Sequence, residues 1–292
     1  MANETRRLGM GWLPDYPDFR DYSLDHAVVK PLLKKIQPPL QNKKPLPAKV
    51  DLRQWCSAVE DQGSLGSCTA QAGAGLVEYF IKRSFDKEEE VSRLFLYKAT
   101  RNLMHQSGDT GAFIRTTMGA LVLFGVPPEE YWPYQIAEFD KEPPAFCYAF
   151  AQNYQTISYY RFDSPNLAKK TLLQNIKAGL VSGLPAMFGF TVFNSISQAE
   201  KNGDIPFPAV DEKIIGGHAV VAVGYDDKRK IVHPNRRGEK STGALLIRNS
   251  WGKTWGEEGY GWLPYAYVLN GLAVDWWSIL KQEWIETGKF KP

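Results

Sequence analysis

The pattern of apolar and polar positions changes character near Leu184. Upstream, apolar residues recur at helical spacing. From Cys68 onward, Ala72, Leu76, Tyr79 and Phe80 share one face, which predicts a helix with Ser67 as N-cap and Cys68 as its first residue. A second helix is predicted over 114–124, with Met118, Leu121 and Val122 inward, Gly125 as stop and two prolines soon after. A third is predicted over 167–178, between an Asn166 cap and a Gly179 terminator. Downstream the apolar runs are short and bounded by Gly, Pro or charge. The segments 186–193 (AMFGFTVF), 218–225 (HAVVAVGY) and 244–249 (ALLIRN) therefore read as strands.

A helical first part followed by a strand-rich second part predicts an α+β protein of two lobes. We place a mainly helical lobe at 48–150 and a mainly β lobe at 151–292, intertwined as one unit. Residues 1–47 differ from both, being proline-rich and without sustained periodicity. The stretch 31–47 (PLLKKIQPPLQNKKPLP) reads as an extended arm.

Composition narrows the function classes. A net charge of +3 is too small to imply a polyanion, so no nucleic-acid partner is expected. No run of about 18 apolar residues is present, so no membrane span is expected. The opening MANETRRLGMGW has no apolar stretch of signal-peptide length, which makes the cytoplasm the default expectation. Cys56, Cys68 and Cys147 cannot all pair. A Cys56–Cys147 bridge and two reduced, buried thiols both stay open, and composition favours the latter. No metal cluster and no phosphate loop is visible, so neither metal nor cofactor is expected.

The chemistry concentrates in three places. Residues 61–70 (DQGSLGSCTA) put Gln62 six positions before Cys68, with a glycine-rich elbow between them. A thiol at a helix start sits beside unpaired N–H groups and partial positive charge, which favour the thiolate. Of the four histidines (His26, His105, His218 and His233), His218 alone opens an apolar strand after two glycines. It is the candidate base, and Asn249 in IRNSWGKTWG can hold its second nitrogen. Trp251 and Trp255 can shield that bond from water. Gln62 and the Cys68 N–H can face an oxyanion. These residues divide between the two lobes, so the site is expected at their seam.

Three segments, VDLRQWCSAVEDQGSLGSC at 50–68, GHAVVAVGY at 217–225 and LIRNSWGKTWGEEGYGW at 246–262, resemble the papain-like cysteine peptidases in their expected order. GWLPDYPDFRD at 11–21 adds a similarity to bacterial members. The resemblance covers about 48–275. It implies a two-lobed fold, with a barrel-like β lobe and the site in the cleft, and a monomeric endopeptidase acting on peptides or proteins. Cys68 is then the nucleophile, His218 the base and acid, Asn249 its orienter and Gln62 the oxyanion donor. By the same resemblance Gly111 and Ala112 pair with the substrate backbone. Phe113, Ile114, Met187, Gly189 and Gly217 then line an apolar specificity pocket, with Asp275 near its floor as a feature that could admit a basic residue instead. A specialised amidase or transpeptidase, or a catalytically silent peptide-binding module, are the other readings of the same motifs.

The sequence departs from the family at two positions. Leu65 stands where a disulfide-forming cysteine is usual, and Thr69 where an aromatic residue usually follows the nucleophile. The charged insertion 226–242 (DDKRKIVHPNRRGEKST) reads as a long solvated hairpin loop. The arm 1–47 is shorter than the usual helical pro-region. It either folds back across the cleft and restricts access, or is docked permanently and stabilises the fold.

Overall fold

The structure, a computed structural model, describes residues 8–36, 45–233, 240–282 and 285–286. Its helices are α1 (Val29–Ile36), α2 (Cys68–Phe85), α3 (Arg93–Leu103), α4 (Ile114–Leu123), α5 (Ala145–Ala151), α6 (Lys169–Val181) and α7 (Tyr265–Leu269). The strands are β1 (Trp12–Leu13), β2 (Lys49–Asp51), β3 (Ala112–Phe113), β4 (Thr156–Arg161) and β5 (Ala186–Phe193). They continue with β6 (Ile214–Val232), β7 (Lys240–Arg248), β8 (Tyr260–Pro264), β9 (Ala273–Gln282) and β10 (Ile285–Glu286). Among the described residues no helix is long and apolar enough to cross a membrane.

Helix α2 is the axis of the molecule. Its first fourteen residues are all buried, and the small residues of CTAQAGAG let neighbours approach from every side. Ser67 stands at the N-cap position, yet its side chain does not cap. Its hydroxyl instead shares a 2.7 Å hydrogen bond with the Tyr134 hydroxyl. Helix α4 buries Met118 and Leu121 as expected, and Gly125, at φ 78°, follows its end.

Eight of the described strands form one antiparallel sheet in the order β10-β9-β5-β6-β7-β8, with β2 on β6 and β4 on β9. It does not close on itself, so the barrel-like lobe expected above is an open sheet. Helix α2 packs against β6, which brings the helix start beside the strand that carries His218.

Three other expectations change. Helix α6 runs through Gly179 and stops before Gly183, whose φ of 76° ends it. Gly179 is needed inside the helix, because a Cβ there would stand 3.3 Å from the Phe162 ring. The described part of the insertion 226–242 is mainly strand and not loop. It lengthens the hairpin, with Lys230 opposite Thr242 and Val232 opposite Lys240, and its tip at 234–239 lies outside the described residues. Part of the arm is also helical, since α1 buries Val29 and Leu33 and carries Pro31 in its first turn. Cys56, Cys68 and Cys147 are all free and buried, so no Cys56–Cys147 bridge exists.

Candidate active site

Cys68 opens α2 and is fully buried. The turn before it is pinned at both ends. Gly63 has φ 61°, the Gly66 N–H donates to Asp109 Oδ1 at 2.9 Å, and the Gln62 N–H donates to Ser250 O at 2.9 Å. The last bond ties the turn to the segment that follows β7, where Asn249 stands.

His218 lies on β6 opposite Phe190. Its Nε2 is 2.8 Å from Asn249 Oδ1, which also accepts the Ser250 N–H at 2.8 Å. An oxygen accepting that N–H also accepts from the imidazole. Neutral His218 therefore carries its proton on Nε2 and leaves Nδ1 bare. Trp251 stacks on the ring at 4.3 Å and 18°, and Trp255 meets Trp251 edge-on. The His218–Asn249 bond is thus walled off from water on the indole side.

The thiol and the imidazole are both far from their ordinary range. Burial pushes the Cys68 thiol up to about 12. N–H groups of Ala219, Gly11, Thr69 and Trp12 act the other way without prevailing. Burial also pushes His218 down to about 4, against the pull of its Asn249 bond. Ala219 N donates to Cys68 Sγ at 3.3 Å, and His218 Nδ1 has no hydrogen-bond partner. Both groups are held neutral, although the helix start alone argues for a thiolate. Desolvation outweighs the helix start.

Gln62 is fully buried. Its Nε2 donates to Leu65 O at 2.8 Å, and its Oε1 accepts from Ser250 Oγ at 2.5 Å. An amide nitrogen carries two hydrogens, so one remains beyond the Leu65 bond. Gly9 of the arm crosses beside that nitrogen, since a Cβ on Gly9 would stand 2.9 Å from it.

The arm crosses the same place. Gly9 N donates to Gly63 O at 2.9 Å, Gly11 N donates to Gly217 O at 3.2 Å, and Trp251 Nε1 donates to Gly9 O at 2.9 Å. Strand β1 then pairs in parallel with β3, Trp12 opposite Ala112 and Leu13 opposite Phe113. The arm fits because it has no side chains where it is squeezed. A Cβ on Gly11 would stand 1.9 Å from Gly66 O, and one on Gly111 would stand 2.3 Å from Gly11 O.

Trp12 fills the pocket assigned by resemblance to Phe113, Ile114, Met187, Gly189 and Gly217. A Cβ on Gly189 would lie 1.9 Å from the indole, and one on Gly217 would lie 2.9 Å from it. Ile114 and Met187 belong to the same buried cluster as Trp12, whereas Phe113 stays partly exposed at the start of α4. The sequence reading missed the roles of Gly9, Gly11 and Trp12. Two glycines flanking one residue before a tryptophan (GMGW) are the signal that could have found them. Arg115 and Arg161, which hold the arm farther along, carry no such signal. Among the described residues no group of three or more His, Cys, Asp or Glu could hold a metal ion.

The sequence model described as papain family cysteine protease matches residues 46–268. An uncharacterized peptidase C1-like protein of Acanthamoeba polyphaga mimivirus is 34% identical, over 96% of this chain and 89% of its own. The crystal structure of xylellain, a cysteine protease from Xylella fastidiosa, is 35% identical with a TM-score of 0.72, covering 96% of this chain and 98% of that one. Chicken cathepsin K is 28% identical, over 73% of this chain and 58% of its own length. The chain belongs to the papain family and is a papain-like cysteine peptidase.

Proposed function

We propose that the chain is an endopeptidase whose own N-terminal segment closes its cleft. The observation that carries this reading is the segment from Gly9 to Leu13, which runs beside Cys68 with Trp12 in the pocket. The N–H groups of Gly11 and Trp12 favour the thiolate of Cys68, and the Gly11 carbonyl is bonded to the Ala112 N–H at 2.8 Å.

With the arm displaced, water enters and the desolvation that holds Cys68 and His218 neutral is relieved. The Cys68 proton passes to the bare Nδ1 of His218, and the sulfur bonds to the carbonyl carbon of a peptide or protein substrate. The charge that develops on oxygen is met by the Gln62 Nε2–H and the Cys68 N–H. Collapse breaks the C–N bond, His218 protonates the departing amine, and a thioester remains. Water then attacks the thioester, giving its proton to His218 and releasing Cys68. Asn249 keeps the ring in the tautomer this sequence needs.

The test uses the full chain and an epoxysuccinyl thiol inhibitor, with the adduct mapped by mass spectrometry. Cys68 should be labelled in Trp12→Ala at least about tenfold faster than in the parent, because a buried indole no longer anchors the arm. Folded Trp12→Ala without an adduct at Cys68 would overturn the enzyme reading. Equal rates would overturn the restriction by the arm.

A further inference from the structure

The floor of the pocket that holds Trp12 is built by an irregularity in the sheet. β5 and β9 pair Met187 with Trp277 and Gly189 with Val274, so β9 contains one residue more than β5 between the two pairs. Asp275 stands in this bulge with φ 62°, a left-handed backbone that re-aims its side chain. Its carboxylate is fully buried. Oδ1 accepts from Trp277 Nε1 at 2.6 Å and lies 3.4 Å from Arg161 Nη2. Oδ2 accepts from Trp12 Nε1 at 3.1 Å. When the arm leaves, that oxygen loses its donor.

We propose that Asp275 sets the specificity of this pocket. Emptied of Trp12, the pocket selects a flat aromatic side chain with a neutral N–H at its far edge, tryptophan above phenylalanine and above any cation. The inference rests on the peptidase reading above, since it names the substrate side chain that the same cleft takes.

Two arguments support it. A phenyl ring matches the shape of the pocket but leaves a buried carboxylate oxygen without a donor. A site built to receive an N–H discriminates strongly against an analogue that lacks it. The cationic alternative fails on charge. With the arm seated, Arg115 and Arg161 face Asp15, Asp21, Asp163 and Asp275. The departing arm takes Asp15 and Asp21 with it and leaves two cations against two anions. A basic side chain would then be desolvated in a balanced cluster, with Arg161 already 3.4 Å from the same carboxylate. A neutral N–H avoids that desolvation.

The first experiment empties the pocket in the full chain with Trp12→Ala and measures binding of indole, benzofuran and propylguanidinium by calorimetry. Indole should bind at least about tenfold more tightly than benzofuran, which has its shape without the N–H, and propylguanidinium should bind most weakly. In Trp12→Ala/Asp275→Asn the indole-to-benzofuran ratio should fall to within about twofold. Equal binding of indole and benzofuran overturns the proposal, as does propylguanidinium binding most tightly. The second experiment uses the same opened chain. On Trp12→Ala, the kcat/KM ratio for peptides with Trp or Phe two residues before the cut should exceed about ten, and a ratio near one overturns the proposal. The two readings fail separately. Indole preference without peptide cleavage removes the endopeptidase, whereas cleavage without Trp preference removes the role of Asp275.

Discussion

Cys68 and His218 separate two influences that sequence motifs combine. A helix start favours the thiolate, as does the Ala219 N–H that donates to Cys68 Sγ, and both are present here. Burial prevails all the same. Nothing in the local sequence around Cys68 signals a strand arriving from some sixty residues earlier, which is why the four candidate site residues were legible and their protonation was not. Alkylation by iodoacetamide measures this directly. In the parent chain Cys68 should react slowly at neutral pH and speed up only as pH climbs toward 12. In Trp12→Ala the rise should begin at least about two pH units lower. A second buried group supports the seam itself. Glu78 accepts from Ser57 Oγ at 2.5 Å and from Val91 N at 3.1 Å, and lies 3.7 Å from the buried guanidinium of Arg248. Glu78→Ala strands that cation in the core, and a fall in Tm of roughly 6 °C or more is expected by calorimetry.

At the scale of elements, legibility followed locality. The helix opening at Cys68, the helix after Phe113 and the strand 186–193 were readable because each periodicity is complete within its own segment. Helix α1 was hidden by Pro31 inside its first turn and by the prolines that follow it, and Gly179 was misread because its reason is the distant ring of Phe162. The long hairpin β6–β7 hides its pairing among charged residues, of which Lys228 and Lys230 are exposed. Helix α2 offers a test in which propensity and packing disagree. Replacing a helical glycine by alanine ordinarily stabilises by about 1 kcal/mol. At Gly75 the new methyl would stand 2.6 Å from Arg248 Nη1, and that guanidinium cannot swing away freely, since its other nitrogen donates to Ser57 Oγ at 3.0 Å and Ala58 O at 2.6 Å. Gly75→Ala should therefore lower the urea midpoint, and a raised midpoint would show that Arg248 yields.

Across the whole molecule, the arm is held at two places of different chemistry. Trp12 anchors it by burial, and Arg115 grips it through Asp15, through Asp21 at 2.8 Å and through the Tyr16 carbonyl at 2.7 Å. Arg161 holds Asp21 and the Asp15 carbonyl independently of Arg115. Arg115→Ala should accordingly speed labelling of Cys68, but less than Trp12→Ala does, because part of the ionic grip remains and partly exposed pairs contribute modestly. The pH response of stability joins both ends of the cleft. His218, held near 4, refuses a proton that the unfolded chain takes at 6.5, so its contribution is present above 6.5 and lost as pH falls toward 4. Asp275, raised by burial to about 6, keeps a proton that the unfolded carboxyl releases at 3.8. Its contribution is present below 3.8 and lost as pH rises toward 6. Between about pH 4 and pH 6 the two oppose each other. Asp275→Asn removes the term that favours acid and leaves His218 unopposed. Its drop in Tm between pH 6.5 and pH 4.5 should exceed the parent's by roughly 5 °C, and His218→Gln should show a smaller drop than the parent. Equal drops in all three proteins would mean that neither group changes its protonation on folding as its burial in this cleft requires.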